Sequence, residues 1–194
     1  MAIHITDNPE ADELLSSNPF ALLVGMMLDQ QYPMEHAFLG PQKVVSRFGS
    51  FDPAAIAAAD PEEFAALCST TPAIHRFPGS MAARLQELAR IVVEQYDGDA
   101  SRLWTEAADG KDLLKRIQAL PGFGAQKAKI FTALVAKQLG VRPTGWEKVA
   151  GDYALDGFRS VADVVDPVSL QKVRDHKKAA KAAAKASVAS QARA

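Results

Sequence analysis

Apolar residues recur every three or four positions along most of this chain, and no segment alternates convincingly with a period of two. The pattern predicts an all-α protein. Asn18-Pro19 reads as a helix start, a capping side chain followed by proline at the first helical position. The helix that follows, Phe20 to Leu28, is apolar nearly all round, which predicts a buried central position. It runs out into Asp29-Gln30-Gln31-Tyr32-Pro33. A second helix is predicted over 34–47, disturbed at Gly40-Pro41 and ended by Phe48-Gly49. Asp52-Pro53 and Asp60-Pro61 each open a short helix, and Asp60 with Glu63 has capping-box spacing. A longer amphipathic helix over 80–96 places Met81, Leu85, Leu88, Ile91 and Val92 on one face. Helices follow over 100–108, 111–119 and 125–139, the last ended by Gly140. Residues 141–159 read as loop, with Trp146, Tyr153 and Phe158 pinning it to the body. A short helix over 160–165 and a final one from Asp166-Pro167, packed at Val168, Leu170 and Val173, complete the chain.

Composition narrows the class. A chain of 194 residues with 48% hydrophobic content can bury a core and is not a disordered protein. No apolar run is long enough to span a bilayer, so no membrane partner is expected. The N-terminus lacks the basic-then-apolar order of a signal peptide, so a cytoplasmic, nucleoid-associated location is expected. Cys68 is the single cysteine, which excludes an internal disulfide and a four-cysteine iron–sulfur cluster. Beside Phe64 and Leu67 it reads as core filler. The four histidines show no metal-ligand spacing.

Charge is distributed unevenly. Residues 170–194 hold seven bases and one acid, a surplus of six, within a chain of net charge −1; residues 1–169 therefore carry −7. An alanine- and lysine-rich tail of this kind can find a polyanion without specificity, and it is helical when ordered but frays alone. Its other reading is a solvated extension that keeps the protein soluble. An acidic body has to contact nucleic acid locally, through amides and a few cations.

One motif supplies such contacts. Leu120-Pro121-Gly122-Phe123-Gly124, followed by Ala125-Gln126-Lys127, lies between two predicted helices. A tight glycine turn there leaves the first amides of the second helix unpaired, at the end where the helix dipole favours an anion. Such a site holds a phosphate and reads no base sequence. Leu113, Leu114 and Ile117 can face Ala128, Phe131, Leu134 and Val135 and hold the turn rigid.

The order of these pieces resembles the helix-hairpin-helix (HhH-GPD) base-excision DNA glycosylase family, and within it a compact actinobacterial-type branch without an iron–sulfur cluster. The resemblance covers about residues 18–140: the opening helix ending in a glutamine pair, the linker and helix at Phe48-Gly49 and Asp60-Pro61-Glu62-Glu63, the middle helix and the hairpin. It implies a two-lobed, all-α helix-hairpin-helix fold over residues 1–169. A middle lobe (about 34–139) would face an outer lobe made by the N-terminal segment and the helices after 140, with 170–194 as a basic appendage. The implied partner is double-stranded DNA containing a modified base, met by a monomer. Gln31, beside Gln30, would enter the base stack. Gly122, Gly124, Ala125 and Lys127 would hold a phosphate. The main-chain carbonyls of Gln118, Leu120 and Phe123 would coordinate Na+ or K+, and no other cofactor is implied.

Two departures shape the expected chemistry. Strand-cleaving members carry a lysine two residues beyond the last hairpin glycine, where it forms a Schiff base. Here that position is Gln126, and Lys127 is displaced by one residue, about a quarter turn of helix. The resemblance thus implies a monofunctional glycosylase without lyase activity, with Lys127 a phosphate contact or surface cation. The family's aspartate, 18–20 residues further on, has no counterpart at Thr144-Gly145-Trp146. Asp29, at the mouth of the same cleft, ranks first as its replacement, then Asp152, then Glu147; an acid there stabilises cationic sugar character or orients water. Asp29 has the alternative of capping nearby amides, and Asp152 that of an N-cap.

The stiff loop between two helices, residues 70–79, concentrates His75, Arg76 and Phe77 between prolines. His75 and Arg76 are expected to contact the flipped base or the opposite strand. Tyr32, Phe77 and Trp146 are candidates to stack on an extruded base, with core packing as the alternative for each. Oxidised, alkylated and deaminated bases all remain open. A non-catalytic binder of damaged or distorted DNA is the competing function, and a helical interaction module the third.

Overall fold

The computed structural model describes residues 3–191, and among them every regular element is helical. The elements are α1 (Pro9–Ser17), α2 (Pro19–Leu28), α3 (Met34–Phe38), α4 (Gly40–Phe48), α5 (Pro53–Ala58), α6 (Pro61–Ser69), α7 (Pro78–Tyr96), α8 (Arg102–Thr105), α9 (Gly110–Gln118), α10 (Ala125–Gln138) and α11 (Trp146–Ala150). Two 3-10 turns, Gly151–Ala154 and Val161–Asp163, precede α12 (Pro167–Gln191).

The starts are set by local chemistry. Asn8, Asn18, Asp52 and Asp60 each accept a first-turn amide of the helix they cap, and proline follows each of them. Asp60 does this alone, accepting the amides of Glu62 and Glu63; the reciprocal capping box is at Ser160 and Asp163 instead.

Packing gives two lobes. In one, α7 lies against α5 and α6; in the other, α10 lies against α9, α11 and the second 3-10 turn. Helix α2 is buried from Phe20 to Leu28, as its all-round apolar pattern requires. Each large side chain so buried contributes about 1.5–3 kcal/mol. The hairpin is braced internally: Leu113 and Ile117 of α9 and Ala128, Phe131, Leu134 and Val135 of α10 are buried. Phe123, in the turn, meets Phe131 edge-on at 5.9 Å. This is an all-α, two-lobed helix-hairpin-helix fold.

Several elements differ from the sequence expectation. Helix α1 was not expected, although Asn8-Pro9 repeats the signal of Asn18-Pro19. The helix expected over 34–47 divides at Leu39, because Pro41 has no amide to give the preceding turn. The stretch 141–159 contains α11 and a 3-10 turn. Val168 is exposed, and only Leu170 and Val173 of the expected trio anchor α12. Phe158 is also exposed, under the Lys172 ammonium at 4.6 Å. The tail is helical through Gln191. Residues 192–194, also assigned to that tail, lie outside the described residues.

Candidate functional site

The turn between α9 and α10 uses its two glycines differently. Gly122 has φ +83°, and a Cβ there would lie 3.0 Å from Arg84 Cδ and 3.1 Å from Met27 Cγ. The left-handed backbone favours glycine, and the close approach of these two side chains leaves little room for a Cβ. Gly124 has φ −78°, and a Cβ there would meet nothing within 4 Å. It is the N-cap of α10, and no side chain caps that helix. Gly124, Ala125 and Gln126 are exposed, so the uncapped first turn opens to solvent.

Beside this turn lies a cavity of about 750 Å³, within the ~300–1,000 Å³ typical of ligand sites. Met26 and Asp29 at the end of α2 form one wall, and Gln126, Lys127, Lys129 and Ile130 of α10 another. The segment from Ala150 to Tyr153 and Arg159 form the third. Helix α12 closes the cavity with His176, Lys177, Ala180 and Lys181. Arg174 holds α12 there through a 2.5 Å ion pair to Glu35 of α3.

Asp29 and Lys127 meet inside. The Asp29 carboxylate is 13% exposed, and Lys177 Nζ lies 3.6 Å from its Oδ2. Among the described residues no backbone amide donates to this carboxylate. Amide capping, the alternative reading of Asp29, is thus not what the structure holds. Asp29 sits at the C-terminal end of α2, where the helix dipole disfavours an acid. Lys127 Nζ donates to the Met27 carbonyl at 2.9 Å. Burial pushes the Lys127 ammonium down to about 8, against the opposing pull of Asp29 and with help from Arg84 and Lys177. Lys127 is therefore a half-buried cavity residue rather than a surface cation. Neighbouring Gln126 is exposed and donates to the Tyr153 hydroxyl at 2.8 Å. A quarter turn of helix does not separate the two: both line the same cavity.

Residues 24–188 match the family model described as HhH-GPD superfamily base excision DNA repair protein. The chain belongs to that family. No curated protein and no solved structure matches it.

For a member of this family, the other sequence-derived site residues divide into three groups. Asp152 lines the cavity with Asp29, but from the exposed 3-10 turn. Glu147 is exposed on α11 and does not line the cavity. Trp146 is 7% exposed, and its backbone lies so close to Gly110 that a Cβ there would be 2.6 Å from the Trp146 amide nitrogen. It is a core residue. Tyr153 does line the cavity.

The second group forms a separate surface. Gln31 is exposed and has φ +50°. Gln30 points inward, its amide 3.4 Å from Met81 Sδ. Phe77 is 48% exposed, with the Arg76 guanidinium 4.8 Å from its ring centre. His75 lies beneath them, only 2% exposed. Its Nδ1 accepts the Phe77 amide at 3.1 Å, which leaves Nε2–H to donate to the Gln30 carbonyl at 3.0 Å. Burial holds its pKa below the ordinary histidine value, in keeping with this neutral form. His75 thus ties the Gln31 turn to the Arg76-Phe77 loop and is not itself open to DNA. Tyr32 is half-buried against the rings of His75 (4.8 Å) and His36 (5.9 Å), away from the cavity.

The third group is the carbonyl set of Gln118, Leu120 and Phe123 on the hairpin. The Leu120 carbonyl accepts the Phe123 amide at 3.2 Å, and a carbonyl oxygen has a second lone pair to offer. No cluster of metal-ligating side chains occurs among the described residues. Cys68 is buried, and burial pushes its thiol up to about 12.

Sequence reasoning missed Tyr153, Arg159, Lys177 and Lys181 as cavity residues. Lys177 and Lys181 carried a signal, since i,i+4 spacing puts both on one helix face. Nothing local indicated which face met the body.

Proposed function

We propose that this protein is a monofunctional DNA glycosylase that hydrolyses the N-glycosidic bond of a modified base, with Asp29 as its carboxylate. The observation that carries this reading is the position of Asp29: half-buried, without an amide donor, facing a cavity beside the hairpin and flanked by Lys127 and Lys177. DNA would lie across the hairpin and the Gln31–Arg76–Phe77 surface, with a phosphate on the amides of Gly124 to Lys127. The carbonyls of Gln118, Leu120 and Phe123 would hold Na+ or K+, whose charge supports that phosphate. Gln31, with Phe77 nearby, would fill the space left by the displaced nucleotide.

In the cavity, Asp29 stabilises positive charge developing at the sugar C1′ and orients water toward it. The C1′–N bond breaks and the base leaves with the bonding pair. Water forms the new C1′–O bond, and its proton passes to the carboxylate and then to solvent. The enzyme works as a monomer in the cytoplasm, on nucleoid DNA.

A second reading has its own support. Lys127 reaches the cavity, and its depressed pKa gives it more free amine than an ordinary lysine. It would then attack C1′ and cleave the strand. A panel of duplexes, each with one modified base, tests both readings. Hydrolysis predicts abasic sites that break only after alkali, and no adduct on borohydride reduction. Breakage without alkali and an adduct at Lys127 would replace the first reading by the second. Lesion-selective binding with no base release would identify a non-catalytic binder.

A further inference from the structure

The cavity carries more positive charge than the rest of the chain would suggest. Five of its lining residues are lysine or arginine, against the carboxylates of Asp29 and Asp152, in a protein of net charge −1. The cations form two tiers. Lys129 and Lys181 are exposed, as residues that meet a phosphate backbone have to be. Lys127, Arg159 and Lys177 are half-buried and lie deeper. The inner lysines have donors to spare. Lys127 gives one N–H to Met27, and Lys177 stands 3.6 Å from Asp29 and 3.7 Å from Met34 Sδ. Tyr153 accepts from Gln126, so its own O–H also remains to be given. The acidic side is already matched, since both inner lysines bear on Asp29.

We infer that, within the glycosylase reading on which this rests, the base taken by the cavity is a neutral, carbonyl-rich one and not a cationic alkylated one. A base rich in carbonyl oxygens meets the inner ammonium and guanidinium groups and the Tyr153 hydroxyl as acceptor to donor. Its departure as an anion is stabilised by the same cations. A ring that already carries positive charge meets three inner cations, and its one deep carboxylate is shared by two of them. It also leaves as a neutral base and gains nothing from them. Oxidised and deaminated bases share the favoured chemistry.

The test uses the full chain and matched duplexes bearing uracil, hypoxanthine, 8-oxoguanine or a cationic 7-methylguanine. Binding is read by fluorescence anisotropy and base release by alkali-induced breakage. The expected result is a preference of at least ~tenfold, about 1.4 kcal/mol, for one or more neutral bases over 7-methylguanine. Lys177→Glu should shrink that preference. The separate neutral duplexes show whether the base is oxidised or deaminated. Faster release or tighter binding of 7-methylguanine would overturn the inference and leave the glycosylase reading standing. Preferential binding of a neutral base without release would keep the inference and remove the glycosylase. Equal binding of all duplexes without release would overturn both.

Discussion

Substituting the two hairpin glycines separately distinguishes the turn as a structural device from the turn as a phosphate site. Gly122→Ala forces a side chain into the left-handed region at φ +83°, at a cost of about 1–2 kcal/mol. Contacts of 3.0 Å to Arg84 Cδ and 3.1 Å to Met27 Cγ add to it, although both neighbours are flexible enough to give. A domain of this size loses roughly 2–4 °C per kcal/mol, so a fall in Tm of about 2–8 °C is expected. Gly124→Ala adds a methyl at an ordinary φ with nothing within 4 Å. Two small terms oppose each other there: the unfolded chain loses about 0.4–1 kcal/mol of entropy, and alanine is a poorer N-cap than glycine. Its Tm should stay close to that of the parent. The new methyl nevertheless stands where a phosphate would approach the α10 amides. Loss of one charge-assisted hydrogen bond, about 1.5–3 kcal/mol, weakens DNA binding at least ~tenfold. Thermal unfolding by circular dichroism and anisotropy on a short duplex read the two quantities. An unchanged Kd in Gly124→Ala would remove the hairpin amides from the interface. An unchanged Tm in Gly122→Ala would refute the assignment of strain to that turn.

Three further outcomes are expected. Removing residues 178–194 takes away Lys178, Lys181, Lys185 and Arg193 and leaves the packed part of α12 with Lys177; affinity should fall for all DNA, and the slope of log K against log salt should flatten by roughly one for each phosphate that is no longer neutralised. Because Lys127 titrates near 8 when folded and 10.5 when free, it is charged below pH 8. DNA affinity should therefore fall as pH rises through 8, an effect missing in Lys127→Gln. The unfolded chain binds the extra proton between pH 8 and 10.5, so stability gains from this group as pH rises across that window. Phe77→Ala, at a side chain 48% exposed, should leave stability within ~0.5 kcal/mol but weaken lesion-duplex binding by about 1–3 kcal/mol if the ring stacks on a base.

The parts of the molecule legible in the sequence are those governed by nearby residues. The buried α2, the caps at Asn18, Asp52 and Asp60, and the hairpin all follow from local periodicity and turn chemistry. The break at Leu39 was half legible, since Pro41 marked the disturbance but not its position. The cavity was much less so, because it is assembled from distant segments. Met27 meets Lys127 across 100 residues, and Asp29 meets a lysine of the final helix. No period carries such pairings. His75 shows the same limit: its residue type suggested a DNA contact, and only the fold revealed that both ring nitrogens are spent on Gln30 and Phe77. Trp146 was ambiguous in the same way until its packing on Gly110 placed it in the core.

The role of Asp29 is tested most directly by comparing Asp29→Asn with Asp152→Asn, measuring base release and duplex binding side by side. Asparagine keeps the volume of aspartate and removes the charge. Asp29→Asn should bind its lesion duplex within about threefold of the parent while release falls by roughly 10²–10³, the scale of losing one electrostatic contact to a transition state. Asp152→Asn should keep most of its activity. Full activity in Asp29→Asn together with a dead Asp152→Asn would move the chemistry to the exposed 3-10 turn and contradict the central assignment.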